Sequence, residues 1–82
     1  MLAIVRTMSS RQRSLTSFGQ NVRRLRGVSG FTQERLADKA DLDPTYISGI
    51  ERGIRNPTLM IIVRLAKALG VPLSELCKGV FV

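Results

Sequence analysis

The sequence predicts an all-α fold, a bundle of five short helices, and three observations carry the prediction. Apolar residues recur at helical spacing from Phe18 onward, with no alternating stretch that would make a strand. Most periodic stretches open on Ser, Thr or Asp and close on Gly, the order in which helices are capped. At 82 residues the chain has material for one core and not two.

Residues 1–16 lack helical periodicity and carry Arg6, Arg11 and Arg13 among Ser and Thr, so they read as a flexible basic tail. Such a tail is either an idle solvated terminus or an arm that follows DNA phosphates or enters a minor groove. The folded domain is expected over 17–78. Ser17 with Gln20 makes a capping box ahead of Phe18, Val22 and Leu25, and Gly27, Ser29 and Gly30 end the first helix. Thr32 caps a second helix whose inner face is Leu36, Ala37 and Ala40, with Glu34 suited to its first turn. Residues 40–42 form a tight turn. Asp43 then caps a third helix with Pro44 at its first position, where a missing N–H costs nothing. Ile47 and Ile50 face inward and Gly53 ends it. Thr58 caps the fourth helix, which ends at Leu69 and Gly70, and Pro72 opens a fifth with Leu73 and Leu76 inward. Residues 79–82 are left as an apolar tail.

Thirteen Lys and Arg stand against six Asp and Glu, a net charge of +7, and ten of the thirteen are Arg. That balance suits a polyanion, duplex nucleic acid ahead of an anionic membrane surface, because the planar guanidinium matches phosphate and guanine edges. With no His and one Cys, the chain cannot build a zinc site of usual ligand count or a His-dependent nucleophilic triad. Phosphate-cradling glycine loops are absent as well. The expectation is therefore a protein that is not an enzyme, has no metal or cofactor and takes no small-molecule ligand. Cys77 is either a plain reduced side chain or a bridge between two copies. The apolar runs at 2–5 and 59–63 are far shorter than the ~20 residues of a membrane span, so a cytoplasmic protein without membrane attachment is expected.

The second and third helices with their short turn match a helix-turn-helix, whose second member enters the major groove. Since Ile47 and Ile50 face the core, Pro44, Thr45, Ser48, Gly49 and Arg52 are expected to face outward. A mid-helix Gly costs ~1 kcal/mol against Ala, so Gly49 implies close approach to another surface, with a groove floor the natural candidate. Thr32 and Gln33 sit at a helix start, where free N–H groups attract an anion. Arg52, Arg55 and Asn56 lie just past the other end of the third helix, placed to clamp phosphates.

Taken together, GFTQERLA (30–37), TYISGIERG (45–53), NPTL (56–59) and LAKALGV (65–71) resemble the Xre family, the phage-repressor and Cro-type regulators with a lambda-repressor-like DNA-binding domain. The resemblance spans 17–78, and from 42 to 58 it is nearest to the controller proteins of restriction-modification systems. It implies that Gln33 binds a phosphate and buttresses the reading helix. Pro44, Thr45 and Gly49 would read bases with Ser48 beside them, and Arg52 would contact a phosphate. Arg26 and Glu51 would form an internal ion pair tying the first helix to the third. The chain departs from the family where Gln, Arg or Lys often read bases. Pro44, Thr45 and Gly49 make no bidentate base contact, so readout shifts toward Arg52, Arg55 and DNA shape. Tyr46 either meets a phosphate or covers the helix start.

The fourth helix carries two apolar stripes, Leu59, Ile62, Val63, Ala66 and Leu69 on one side and Met60, Ile61, Leu65 and Ala68 on another. A helix apolar nearly all round is buried on both sides, which a domain this small does not accomplish alone. A homodimer through Met60, Ile61, Leu65, Ala68, Leu76 and Phe81 is expected, with two half-sites ~34 Å apart in a palindromic operator. Two other readings belong to different classes. An antitoxin-like module would co-purify with a masked partner, and a membrane-surface binder would float with anionic vesicles.

Overall fold

The computed structural model describes residues 9–81, and every regular element among them is helical. The helices are α1 (Ser10–Ser29), α2 (Gln33–Ala40), α3 (Pro44–Glu51), α4 (Leu59–Leu69) and α5 (Leu73–Leu76). None of them is long and apolar enough to cross a membrane. The expected caps hold the starts. The Thr32 hydroxyl accepts from Arg35 N–H, Asp43 from Thr45 N–H and Thr58 from Ile61 N–H. Gly30 and Gly70 end α1 and α4 in the left-handed region, at φ 74° and 68°. Asp41 ends α2 in the same region without being glycine, at φ 56°. Arg64 of α4 supports that end: its Nε donates to the Ala40 carbonyl at 3.1 Å and its Nη2 to that of Asp41. A cation on the last carbonyls also meets the negative end of the helix dipole.

One core joins all five helices. Val22, Leu36, Ile47, Leu65 and Leu76 are fully enclosed, each from a different helix, with Phe18, Leu25, Ala37, Ala40, Ile50, Ala66 and Leu69 around them. α3 lies across α1 and against α2, while α4 rests on α1 and α2 and receives α5.

Three sequence expectations need correction. The first helix starts at Ser10 and not Ser17, capped by Ser9, whose hydroxyl accepts from Gln12 N–H at 3.1 Å. Residues 10–16 add little apolar periodicity, but lengthening an existing helix fixes few dihedrals per bond gained, and Leu15 and Thr16 find neighbours. Arg11 and Arg13 therefore stand on a helix and not a tail; Arg6 lies outside the described residues. The chain end also docks. Asn21 Nδ2 donates to the carbonyls of Leu76 and Lys78, both at 2.8 Å, Ser14 Oγ donates to that of Phe81, and Val80 packs against the core. Finally, the expected dimer residues Leu65 and Leu76 are completely buried within one chain, and Ile61 and Ala68 are half-buried against its core. α4 turns Leu65, Ala66 and Leu69 inward, so its outward stripe is Leu59, Met60 and Val63.

Gly19, which carries no signal in the sequence pattern, sets the approach of α1 to α3. A Cβ there would lie 2.2 Å from the Ile50 carbonyl oxygen and 2.8 Å from that of Glu51, both backbone atoms that cannot swing aside. Alanine is the better helix former by ~1 kcal/mol, yet overpacking of this kind typically costs ~1–3 kcal/mol. Gly19→Ala is therefore expected to lower stability, seen as a reduced urea midpoint. An unchanged or raised midpoint would show that α1 shifts freely over α3.

Candidate nucleic-acid interface

The start of α3 is exposed and its end is anchored. Pro44 and Thr45 face solvent and Ser48 is half-exposed, while Ile47 and Ile50 are enclosed beneath them. Asp43 is held by its own cap: it accepts from Thr45 N–H at 2.8 Å and from the Thr45 hydroxyl. The Thr45 hydroxyl and N–H, in that order, hold the Asp43 carboxyl below its ordinary range.

At the other end, the Glu51 carboxylate receives Arg26 Nε at 2.6 Å and Arg26 Nη2 at 3.1 Å, a two-pronged ion pair. Gln33 Nε2 donates to the same carboxylate at 3.0 Å, and Arg26 Nη1 donates to the Phe31 carbonyl at 2.9 Å. The Glu51 side chain is only 4% exposed and that of Arg26 18%. Hydrogen bonding to Glu51, helped by its negative charge, raises the Arg26 pKa above its ordinary value. α1, α2 and α3 thus meet on one carboxylate, and the ion pair implied by resemblance is present with Gln33 joined to it.

Gly49 is the site residue that the structure places differently. It is buried, and a Cβ there would meet Arg55 Cγ at 2.7 Å. The chain doubles back after α3, with the N–H groups of Ile54 and Arg55 both donating to the Gly49 carbonyl. The Arg55 stem crosses where a side chain would stand, and its guanidinium lies 5.6 Å from the Tyr46 ring centre. The close approach that a mid-helix glycine implied is real, but the surface is this chain's own loop. Tyr46 accordingly lies under Arg55.

The remaining expected residues border this face. Thr32 is exposed, its hydroxyl oxygen taken by the cap while its proton stays free to donate. Gln33 spends one amide hydrogen on Glu51 and keeps the other. Arg52, Arg55 and Asn56 are exposed past the end of α3, and Arg52 leans its Nε toward the Ser48 carbonyl at 3.4 Å. No pattern in the sequence announced the Arg55 stem over Gly49; a mid-helix glycine a few residues before a flexible basic side chain was the available hint.

The family model HTH_3, described as helix-turn-helix, matches residues 22–76. Control protein C.BamHI from Bacillus amyloliquefaciens is 52% identical over 60 residues, spanning 72% of this chain and 74% of its own length. Control protein C.SmaI from Serratia marcescens is 42% identical over 57 residues, 70% of this chain and 68% of its own. The crystal structure of the restriction-modification controller protein C.AhdI from Aeromonas hydrophila superposes with a TM-score of 0.75 at 47% identity, covering 76% of this chain and 94% of that one.

Two outcomes follow from the geometry. Glu51→Ala strands Arg26 and the Gln33 amide. Breaking a buried pair typically costs ~3–5 kcal/mol, and because Arg26 keeps some water the loss is expected near ~3, measured by urea unfolding. For Asp43, the depressed carboxyl stabilises the fold above its unfolded pKa of about 3.9 and that contribution is lost as pH falls through the lower folded value. The Asp43 carboxyl signal should titrate below the free-aspartate range by NMR, and Thr45→Ala should move it upward. No movement would separate the cap from the Thr45 hydroxyl.

Proposed function

The chain belongs to the helix-turn-helix family, and we propose from that premise that it is a sequence-specific regulator of transcription that binds duplex DNA at a palindromic operator as a homodimer. The observation that carries this reading is the exposed start of α3, presented by a core-anchored helix whose far end is pinned by Glu51 to α1 and α2. Major-groove recognition requires a helix held at one angle, and three donor atoms on one enclosed carboxylate supply that.

In the groove, Thr45 and Ser48 meet base edges with Pro44 beside them, through single hydrogen bonds or a thymine methyl. Because Gly49 is covered, its place on the reading face passes to Arg55, a side chain able to take guanine bidentately. Thr32, the free Gln33 hydrogen and the first N–H groups of α2 take a phosphate on one side; Arg52 and Asn56 take phosphates on the other. The names of the relatives support the finer reading of a restriction-modification controller, which adjoining methyltransferase and endonuclease genes would favour. A regulator of this kind works in the cytoplasm beside the chromosome.

The exposed stripe on α4 supports the homodimer. Leu59 and Met60 are each 64% exposed, and Phe81 is 77% exposed at the chain end. Loss of Leu65 and Leu76 to the core narrows the interface to Leu59, Met60 and Val63, with Phe81 and the edges of Ile61 and Ala68 at its border. Met60→Glu should leave the fold intact, shift the protein to monomer in sedimentation and weaken operator binding. A Met60→Glu protein that remains dimeric would place the interface elsewhere.

Affinity should fall steeply with salt as phosphate counterions are displaced. In a gel-shift titration on a duplex selected from a random library, Arg52→Ala should weaken binding to all sequences about equally. Unchanged affinity would remove Arg52 from the phosphate clamp.

A further inference from the structure

We propose that the groove between the first turns of α1 and the loop after α3 is an additional DNA phosphate site, which takes duplex backbone beyond the bases that α3 reads. The inference rests on the DNA-binding reading above and extends it to residues that precede the family match at position 22. The groove has a volume of about 350 Å³. Arg11 and Gln12 line it from α1, and Arg52 and Ile54 line it from the loop.

Its electrostatics favour an anion. Arg11 lines one wall and Arg52 the other, and among the described residues no carboxylate lines the groove. Among the described residues, the Arg52 side chain makes one hydrogen bond, from its Nε to the Ser48 carbonyl of the helix it follows. Like charges on facing walls repel, and backbone phosphates running along the groove turn that repulsion into charge-assisted hydrogen bonds, with Arg52 holding the phosphate at the operator edge and Arg11 the one beyond it.

The walls are also locked together. Gly53, at φ 76°, lies so close to α1 that a Cβ would sit 2.8 Å from Thr16 Oγ1 and 3.0 Å from its Cα. This packing sets the height of Arg52 against Arg11, so the early start of α1 builds a fixed wall in place of a loose arm. The loop forming the other wall also carries Arg55 onto α3, which makes the basic surface continuous with the reading face. The groove is partly open to solvent, as suits a passing strand better than an enclosed small anion.

The test uses the full chain and two duplexes, one trimmed to the selected operator and one carrying about ten further base pairs on each side. Binding is followed by fluorescence anisotropy across a salt series. Arg11→Ala should bind the extended duplex several-fold more weakly, with the slope of log K against log salt shallower by about 0.9 for each phosphate that is no longer neutralised. It should bind the trimmed duplex like the wild type, and Lys78→Ala, away from the groove, should match the wild type on both. An Arg11→Ala protein with unchanged affinity and slope on the extended duplex overturns the proposal, as does equal weakening on both duplexes. In either case wild-type binding leaves the regulator reading standing, whereas a wild type that binds no duplex removes both.

Discussion

The Glu51 carboxylate is the constraint on which the pose of α3 depends. Ile47 and Ile50 bury one side of α3, but an apolar stripe fixes burial more firmly than it fixes the angle of a helix eight residues long. Arg26 and Gln33 supply the missing direction by binding one enclosed carboxylate from α1 and α2. A buried charge with all its partners in place rigidifies its surroundings, and the same charge with a partner removed is costly. Gly19 works toward the same end by letting α1 lie directly on the last carbonyls of α3. Position and angle of α3 thus rest on one ion pair, the Gln33 hydrogen bond beside it and one missing side chain.

Most of the fold was legible because its punctuation is local. Thr32, Asp43 and Thr58 cap the helices they were expected to cap, and Gly30 and Gly70 end theirs in the left-handed region. The extra turns of α1 were not legible, since SRQRSLT offers one large apolar residue and its support comes from Phe81, Gly53 and the loop, all distant in sequence. The two stripes of α4 were visible, but periodicity alone does not say which faces inward; Leu65 went to the core and Leu59 and Val63 to the surface. Gly49 shows the same limit. Its need for close approach was readable, whereas the identity of the approaching group required the course of the loop after Gly53.

This loop does several jobs at once. Its backbone N–H groups satisfy the Gly49 carbonyl at the end of α3, Gly53 seats it against Thr16, and Arg55 crosses Gly49 to reach Tyr46. A segment that both closes α3 and carries two arginines links the stability of that helix to its electrostatic footprint. Substitutions there are expected to change folding and DNA affinity together, whereas Pro44, Thr45 and Ser48, which face away from the core, can vary in chemistry with little cost to the fold.

The most direct measurement is a backbone NMR titration of the isotope-labelled protein with the duplex it selects. Recognition through α3 predicts that the amide signals of Thr45, Ser48, Gln33 and Arg55 move most, while those of Leu65, Ala66 and Leu69 in the core face of α4 stay in place. Shifts confined to α4 and α5, or none at low ionic strength, would contradict it.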